Sequence, residues 1–367
     1  MVLYILFFGL FSYWSMPAAL HAQSSIQGRV SNVDTGESLA GVNVFLSGTK
    51  IGTATNLNGN YRLDNIPAGG HRLVISMIGY KRQILEIVTG PNENRAINFE
   101  LTPVVYEMPT IYVGNLDKKW EKHLAKFTRL FVGQTAHADS VKILNPEVLR
   151  FGTNFWGRLR AEALAPLQIE NRALGYHITY YLDEFTHNGS RTRWDGEPLY
   201  TEMIPTDSAQ ASYWQQNRRE AFYGSLRHFL LALLHNQVKK EGFRLYNHRE
   251  GVYGFSSNSR YHISGRRLLR KAEENYLRHL NFFGRLEIIY THDSEDWNFV
   301  RWQRSYHNGP RGVQTSFLEL NERPVTVDAS GEILEPYGAT QFGYFAFQRL
   351  ADATPSEYRP DSFIIAE

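Results

Sequence analysis

Short apolar runs, separated by Gly, Pro, Asn and Asp, recur about every ten residues between positions 26 and 101. Apolar and polar residues alternate within them with the period of two that a half-buried strand requires, as at Val42, Val44 and Leu46. Asn58-Gly59 favours a tight type I′ hairpin, because both residues tolerate a positive φ. The pattern predicts a small antiparallel β-sandwich over residues 24–102.

The pattern changes after a proline-containing stretch, 103–116, which we expect to be an extended linker. Residues 118–132 carry apolar side chains at helical spacing and end before Gly133, so they predict a helix. Alternating residues predict strands at 176–185 and 192–203, the second of them interrupted by a turn at 194–197.

The longest helix is predicted from Asp207 to Lys240, with Asp207 or Ser208 as its N-cap. Its broad apolar stripe is best explained by packing in a core rather than by insertion into a membrane. A helix could also form at 266–280.

Beyond position 243 the pattern favours strands, with a hairpin turn at 328–331. The expected strands are 286–290, 298–303, 315–320, 325–327 and a late one at 342–348. The predicted fold class is therefore an N-terminal all-β sandwich plus a C-terminal α+β domain, residues 117–367, with an antiparallel sheet and one long helix.

Three segments of the N-terminal stretch carry a resemblance: IQGRV, TGESLAGVNVFLSGTKIGTATNLNGNYRL and IPAGGHRLVISMIGY. In this order they resemble the carboxypeptidase-like regulatory domain, a prealbumin-like β-sandwich. The resemblance implies a non-catalytic module, as found on metallocarboxypeptidases and at the N-termini of TonB-dependent outer-membrane receptors. Asn56 stands where the family often has Asp in this turn, which argues against a calcium site there.

Further segments, AEALAPLQIENRALGYHITYYLDEF, GSLRHFLLALL and FQRLADATPSEYRP, resemble a region that follows the same sandwich in some bacterial envelope proteins. This resemblance implies a cell-envelope location and a domain order. It implies no activity.

Residues 1–22 contain no Lys, Arg, Asp or Glu, and their apolar run is too short to span a bilayer. They predict a signal peptide with cleavage before Gln23, although retention of the leader as an anchor stays open. We therefore expect an exported protein, periplasmic or associated with the outer membrane of a Gram-negative envelope.

Composition removes several classes of function. The chain has 0 Cys, so disulfides, zinc-thiolate sites and thiol catalysis are excluded. Lys and Arg number 39 against 37 Asp and Glu, a net charge of +2 that argues against a nucleic-acid partner.

No motif specifies catalysis or a cofactor, and we expect no metal. His292 and Glu295 have the H-x-x-E spacing of a zinc site, but about one such match is expected by chance with 13 His. His228 and His235 lie seven apart on the predicted long helix, where core or capping roles are more frequent than metal binding. Alternatively, the pair Arg227-His228, beside the apolar stripe, could neutralise a buried carboxylate, such as one from the facing sheet, in a structural ion pair.

Two classes of function remain. The first is a non-catalytic envelope protein that binds a protein, glycan or lipid partner, favoured by the missing motifs and by an aromatic content of 14%. The alternative is an envelope hydrolase, a peptidase or glycosidase, with dispersed catalytic residues such as Asp183, Glu184 or His292. A pocket of converging titratable groups would favour the second class.

Overall fold

The computed structural model describes residues 24–104, 118–153, 157–189, 191–248, 260–303 and 309–363. The expected signal peptide, 1–22, and all but two residues of the expected linker, 103–116, lie outside these ranges. Throughout the described ranges, every helix is too short or too polar to cross a membrane.

The N-terminal residues form a β-sandwich, as predicted. Its strands are β1 (Ser24–Asn32), β2 (Asn43–Leu46), β3 (Gly52–Ala54), β4 (Asn60–Ile66), β5 (Gly69–Ser76), β6 (Gln83–Thr89), β7 (Asn94–Ala96) and β8 (Phe99–Leu101). One sheet has the antiparallel order β3-β2-β5-β6. In the other, β1 pairs antiparallel with β4 but parallel with β7 and β8, so the sandwich is not wholly antiparallel as predicted. Ile26, Val44, Leu63 and Leu73 are fully or almost fully buried between the sheets, so period-two alternation identified this core.

The turn at Asn58-Gly59 is tight, but it is not the predicted type I′ hairpin. Gly59 has a φ of +73° while Asn58 keeps a negative φ, and the Asn56 side chain accepts the N–H groups of Asn58 and Asn60. The flanking strands β3 and β4 belong to different sheets. The local signal located the turn correctly and left open which strands pair.

A second sheet follows, covered by one helix. The elements are α1 (Lys118–Phe131), β9 (Val141–Ile143), β10 (Leu149–Thr153), β11 (Leu159–Ala163), β12 (Leu167–Asn171), β13 (Tyr176–Asn188) and β14 (Arg191–Glu202). The order is β10-β11-β13-β12-β9, with β14 paired along β13, and all pairs are antiparallel. Phe127 and Phe131, on the apolar stripe of α1, are fully buried against this sheet.

The predicted turn at 194–197 is wrong, because these residues continue β14. The pairing with β13 shifts register between Leu182 and Glu184, which leaves Asp183 as the extra residue of a β-bulge. Gly196 lies opposite the bulge with a φ of +159°, and a Cβ there would lie 2.4 Å from the carbonyl oxygen of Tyr181. Asp and Gly in this segment therefore mark a bulge rather than a chain reversal.

The single long helix is also corrected, since α2 (Ser208–Phe222) and α3 (Leu226–Leu234) are separate. Gly224 between them has a φ of +77°, and Ser225 caps α3 by accepting the N–H of His228 at 3.1 Å. Asp207 is the N-cap of α2, as predicted. A glycine that ends one helix and a serine that caps the next mark this break, but the apolar residues continue at helical spacing on both sides of it.

The remaining elements form two antiparallel sheets, β16-β15-β19-β20-β22 and β17-β18-β21. They are β15 (Phe243–His248), β16 (Arg260–His262), β17 (Leu269–Lys271), β18 (Leu277–Leu280), β19 (Arg285–Tyr290), α4 (Trp297–Trp302), β20 (Gln314–Leu320), β21 (Val325–Asp328), β22 (Ala339–Gly343) and α5 (Tyr344–Phe347). The apolar face of α3 packs on these sheets. The described chain is thus mostly β, with several antiparallel sheets and few helices.

Three further predictions in this part are wrong. The segment 266–280 is not a helix, since its residues 269–280 form the β17–β18 hairpin, in which β18 pairs with β21 and buries Leu277 and Leu280. Residues 298–303 fall largely in α4, whose N-cap Asp296 accepts the N–H of Phe299 at 2.7 Å. The late strand ends at Gly343, where α5 begins. The hairpin turn at 328–331 is confirmed by the bond from the Gly331 N–H to the Asp328 carbonyl.

Candidate functional site

A cavity of about 540 Å³ opens where the sandwich, β14 and the surroundings of α3 meet. We call it the junction cleft, and its walls include Gly48, Arg72, Asp195, Arg227, Glu332 and Tyr337. The volume lies within the range of about 300–1,000 Å³ that is usual for small-molecule sites. The sandwich supplies one wall, so the geometry of the cleft depends on how the sandwich is fixed.

Backbone hydrogen bonds fix the loop between β2 and β3 to the rest of the molecule. The N–H of Gly48 donates to the carbonyl of Pro198 at 2.7 Å, and the N–H of Tyr200 donates to the carbonyl of Thr49 at 2.9 Å. The N–H of Ser356 donates to the carbonyl of Gly48 at 2.8 Å. Gly48 has a φ of +75°, which a side chain would disfavour. The sandwich is therefore held by main-chain bonds as well as by side chains.

Apolar side chains seal the same contact. Phe45 and Val74 point away from the sandwich core, yet both are fully buried, because Tyr181 and Leu199 cover them. The rings of Phe45 and Tyr181 stack with centroids 5.1 Å apart. A stacked aromatic pair adds about 0.5–1.5 kcal/mol to the burial of its area.

Charged residues line the cleft side of this contact. Arg72 Nη2 lies 2.6 Å from Glu197 Oε1, and Arg72 Nη1 lies 3.4 Å from Asp195 Oδ1. The Glu197 side chain is 0% exposed. Burial raises the pKa of Glu197, while the neighbouring Ser47 side chain and the charge of Arg72 oppose the rise. Arg72 therefore neutralises a carboxylate that β14 carries into the interface.

The β-bulge aims a third carboxylate at the sandwich. Asp183, the unopposed residue of the bulge, forms an ion pair with Arg82. Burial raises the pKa of Asp183, the charge of Arg82 opposes this, and the nearby Asp195 adds to it. Two arginines of the sandwich thus face a cluster of acids on β13 and β14.

Arg227 forms the opposite wall and acts as a clamp. Its guanidinium donates to the carbonyls of Ser330 at 3.1 Å, Pro355 at 3.1 Å and Tyr358 at 2.8 Å, and also to Ser356. Glu332 lies 3.7 Å away. The predicted ion pair of Arg227 with a buried carboxylate is therefore wrong, because its partners are chiefly backbone carbonyls and Glu332 is half-exposed.

Glu332 is the carboxylate of the cleft with the most remaining hydrogen-bonding capacity. Its side chain is 53% exposed and lines the cavity. Enclosure by the surrounding protein raises the pKa of Glu332 to about 7, and the charge of Arg227 opposes the rise. Water in the cavity limits this shift. By contrast, Asp328 accepts hydrogen bonds from Ser330, and Glu335 accepts the N–H of Thr326.

Tyr337 occupies a backbone conformation that side chains rarely adopt. Its φ is +60°, a geometry that costs about 1–3 kcal/mol in a residue other than glycine. The Tyr337 hydroxyl donates to Glu184 Oε2 at 3.3 Å, and the guanidinium of Arg193 lies 5.3 Å from the ring centroid. Strain of this kind is concentrated at ligand sites.

The H-x-x-E pair does not form a metal site. Glu295 Oε2 accepts the N–H of Arg311 at 3.1 Å, while His292 packs against Tyr290 and Gly242. Within the described ranges, no three His, Asp or Glu side chains are grouped so as to hold a metal.

His228 is a core residue, and His235 is the C-cap residue of α3. His228 Nδ1 accepts the N–H of Gly224 at 3.1 Å, which leaves the proton on Nε2, 3.2 Å from Glu241 Oε2. Burial lowers the pKa of His228, and Glu241 opposes the change. The neutral ring thereby joins the end of α2 to α3.

The candidate hydrolase residues also have separate partners. Asp183 is paired with Arg82, and Glu184 accepts the hydroxyl of Tyr337. His292 lies at the end of β19 and does not line the junction cleft. The structure therefore does not assemble these three residues into one site.

Sequence reasoning missed the residues that build the cleft. A signal was present at Phe45 and Val74, which are large apolar residues at outward positions of alternating strands. An apolar side chain on the polar face of a strand indicates a second buried surface. For Arg72, Glu197 and Glu332 no comparable signal exists, because single charged residues are common on solvated faces.

The described residues define a β-rich protein with an N-terminal sandwich and several antiparallel sheets. Residues 26–113 match the family model of the CarboxypepD_reg-like domain. The chain therefore contains a carboxypeptidase-regulatory-like domain. No curated protein matches the chain.

Solved structures give only distant likenesses. Similarity to 3-chlorocatechol 1,2-dioxygenase from Rhodococcus opacus has 13% identity and a TM-score of 0.19, and covers 23% of this chain and 61% of that one. Similarity to catechol 1,2-dioxygenase from Acinetobacter has 13% identity and a TM-score of 0.20, and covers 24% of this chain and 55% of that one. Similarity to a type II cohesin–X-dockerin complex from Acetivibrio cellulolyticus has 17% identity and a TM-score of 0.19, and covers 31% of this chain and 79% of that one. The chain spans less than two thirds of either dioxygenase, and at these TM-scores we draw nothing from the likenesses.

Proposed function

We propose that the protein is a non-catalytic, exported envelope protein that binds a glycan in the junction cleft. In this proposal the sandwich, which we take to be prealbumin-like, serves as a fixed wall of the binding site. The domain limits that we propose are 24–102 for the sandwich and 117–367 for the C-terminal α+β domain.

The observation that carries the proposal is that the charged groups of the cleft differ in how much of their hydrogen-bonding capacity is already used. Arg227 uses its donors on backbone carbonyls, and Arg72 is paired with two acids. Glu332 keeps free acceptor capacity and is open to the cavity. A ligand that fits must therefore donate hydrogen bonds, as the hydroxyl groups of a glycan do.

An aromatic ring supports the same ligand class. Tyr337 lines the cleft, is half-buried and is held there in a strained conformation. Aromatic faces next to acidic acceptors suit sugar rings, which present apolar C–H faces and polar edges. A protein or lipid partner remains an outcome of the test rather than part of the proposal.

The test is calorimetric titration of the mature protein with neutral envelope oligosaccharides. Glu332→Gln keeps the size of the side chain and removes its charge, so we expect it to weaken binding by about 10-fold to 100-fold, the value of a charge-assisted hydrogen bond. Glu322→Gln is the matched control, because Glu322 is exposed and lies outside the cleft lining. Equal affinities of Glu332→Gln and the unchanged protein would contradict the proposal.

The pH dependence of binding provides a second test. Because enclosure raises the pKa of Glu332 towards about 7, its ionised fraction grows between about pH 5 and about pH 8. An ionised carboxylate accepts stronger hydrogen bonds, so affinity should rise several-fold over this interval. In Glu332→Gln the affinity should stay flat.

A hydrolase is the second candidate, and Glu332 is the observation that favours it. A carboxylic acid with a pKa near 7 inside a cleft has the property of a general acid. Chromatography of the same oligosaccharides after prolonged incubation separates the two functions. Cleavage products lost in Glu332→Gln would favour the hydrolase, and intact oligosaccharides would favour binding alone.

Export is proposed from the leader at 1–22. The mature protein isolated from the envelope fraction should begin near Gln23, which N-terminal sequencing reads directly. An intact Met1 on protein from the cytoplasm would refute export, whereas Met1 on membrane-associated protein would indicate a retained anchor.

A further inference from the structure

A second pocket, of about 380 Å³, lies beyond the last turn of α3 and against the β17–β18 hairpin. We call it the basic pocket, and its walls include Arg266, Arg270, Lys271, Arg278, Leu233 and Leu269. The first turn of α3 lines the junction cleft, whereas the last turn lines the basic pocket. The two sites are therefore separate, and neither proposal depends on the other.

The four cations of the basic pocket form no ion pair with an acidic residue of the described ranges. No acidic side chain lines the pocket, and the acids of the hairpin turn, Glu273 and Glu274, are not among its walls. Lys271 lies directly opposite Arg278 in the β17–β18 pairing. Like charges at opposed positions of an antiparallel pair repel each other and destabilise the pairing. An anion bound between them would reverse the sign of this interaction.

Two of the cations, Arg266 and Arg278, are each held by hydrogen bonds and keep further N–H donors unused. Arg266 Nε donates to Asn236 Oδ1 at 3.0 Å, and Asn236 itself has a φ of +53°. Arg278 Nη1 donates to the carbonyls of Asn275 and Leu277, each at 2.7 Å. The other nitrogens of both guanidinium groups have no hydrogen-bond acceptor within the described ranges. These donors are oriented before a ligand arrives, which lowers the entropic cost of binding.

The chemistry of the walls selects one kind of ligand. A phosphate group carries a charge of about −1.5 to −2 and three strong acceptor oxygens, which match several cationic donors around one pocket. Leu234 and Leu269, both half-buried, add an apolar wall beside the cations. We propose that the basic pocket binds the phosphate group of a ligand whose apolar part packs on these leucines.

The source of the phosphate is either a lipid headgroup or a soluble ester, and two measurements on the full mature protein distinguish them. Calorimetry with inorganic phosphate measures the soluble arm. Co-sedimentation with phosphatidylcholine vesicles, with and without phosphatidylglycerol, measures the lipid arm. Binding in either arm should weaken as salt is added, because the contacts are ionic.

The variant that tests the site is Lys271→Gln with Arg278→Gln. Each cation near an anionic surface contributes about fivefold to the affinity, so the loss of two should weaken binding about 30-fold. Lys81→Gln with Lys142→Gln removes the same charge from exposed positions elsewhere and should leave binding within about twofold. Circular dichroism and thermal unfolding establish that both proteins are folded. Should the first pair not fold, Arg270→Gln alone replaces it, with an expected loss of about fivefold.

Each outcome decides the proposal. Loss of phosphate binding in the test pair but not in the control supports the site with a soluble ester, and the same result on phosphatidylglycerol vesicles supports it with a lipid headgroup. No binding in either arm overturns it. Equal losses in the two pairs also overturn it, because they would reflect net charge alone.

Discussion

Buried arginines connect distant segments of the described chain by donating to backbone carbonyls. Arg227 reaches the segment at 354–358, and Arg349 donates to the carbonyls of Leu130 and Ala346. Burial lowers the pKa of Arg349 to about 10, so the group remains charged at neutral pH. A planar guanidinium serves several carbonyls at once, which an ammonium group cannot do.

Arg227→Lys should therefore destabilise the protein by about 3 kcal/mol, because a lysine leaves two or more buried carbonyls without a donor. The measurement is the free energy of unfolding in urea. Arg219→Lys is the matched control, since Arg219 is exposed on α2 and the change should cost less than about 0.5 kcal/mol. Equal effects of the two changes would show that Arg227 is not a clamp.

His137 makes stability depend on pH. Burial lowers the pKa of His137, but a hydrogen bond at 2.9 Å and the charge of Asp352 raise it more, so the pKa ends above its usual value of 6.5. Protonated His137 thus stabilises the folded state fully below about pH 6.5, and this contribution is lost as pH rises through the raised pKa. His137→Gln should lower the free energy of unfolding more at about pH 5.5 than at about pH 8.5.

His187 provides the control of opposite sign. Burial lowers the pKa of His187, so the folded state disfavours its protonation, and the cost of keeping it neutral appears as pH falls. The effect of His187→Gln should therefore change with pH in the opposite sense to that of His137→Gln. A parallel pH response of the two variants would contradict the assignment of charge to His137.

Individual side chains differ in how far the sequence foretells them. The core role of His228 and the structural role of Arg227 follow from their position beside an apolar helical stripe. The partners of Arg227 could not be foreseen, because they are carbonyls some 130 residues away along the chain. Glu332 was missed for the same reason, since its enclosure arises from segments that are distant in sequence.

Glycines at positive φ decide where several elements end. Gly224 separates α2 from α3, and a Cβ at this position would lie 2.5 Å from Gln314 Oε1 and 3.0 Å from a ring carbon of Tyr290. The break lets α3 turn onto the sheet that contains β19 and β20. An unbroken helix from Asp207 to Lys240 could not present both of its ends to their present partners.

Gly224→Ala should destabilise the protein by about 2–4 kcal/mol, because it adds a steric clash to the strain of the positive φ. Gly79→Ala separates the two causes, since Gly79 has a φ of +84° but no other atom within 4 Å of the place that a Cβ would occupy. The control should cost about 1 kcal/mol. Thermal unfolding measures both, and a similar loss in the two variants would mean that packing at Gly224 contributes nothing.

Hydrophobic periodicity predicted most of the helices and strands, but it failed at a few specific segments. The sandwich strands, α1, β13 and β20 follow from clear periods of two or of 3.6 residues. The strand expected at 298–303 is α4 instead, because its N-cap Asp296 outweighs the aromatic and β-branched residues that follow. Segment 194–197 reads as a turn from Asp and Gly alone, and only the register of β13 against β14 reveals a bulge.

The sandwich and the C-terminal region share contacts of three kinds: backbone bonds at Gly48, a stacked pair at Phe45, and ion pairs at Arg72 and Arg82. Only the apolar contact has a sequence signal, the outward-facing Phe45 and Val74, whereas the backbone bonds and the ion pairs have none. The carboxypeptidase-regulatory-like module therefore behaves as part of the architecture rather than as a tethered appendage. Its removal would expose the apolar side chains of Tyr181 and Leu199.

The coupling of the two parts is tested by the buried pair Arg72 and Glu197. Arg72→Met leaves the fully buried Glu197 carboxylate without its guanidinium, so we expect a loss of about 3–5 kcal/mol in the free energy of unfolding. The double change, Arg72→Met with Glu197→Met, should recover most of this loss, because it removes the stranded charge and fills the space with apolar atoms. Arg62→Met is the control, since Arg62 pairs with Asp64 on the exposed surface of the same sandwich and should cost less than about 1 kcal/mol.

The pH dependence of the stability of Arg72→Met tests this prediction further. Burial already raises the pKa of Glu197, and loss of the opposing Arg72 charge should raise it further. A raised carboxylate pKa means that stability falls as pH rises, so Arg72→Met should lose more stability at about pH 8 than at about pH 5. The double variant, which lacks the carboxylate, should not show this slope. If the single variant loses equal stability at both pH values, Glu197 is not the stranded charge, and the Arg72–Glu197 pair does not couple the two parts.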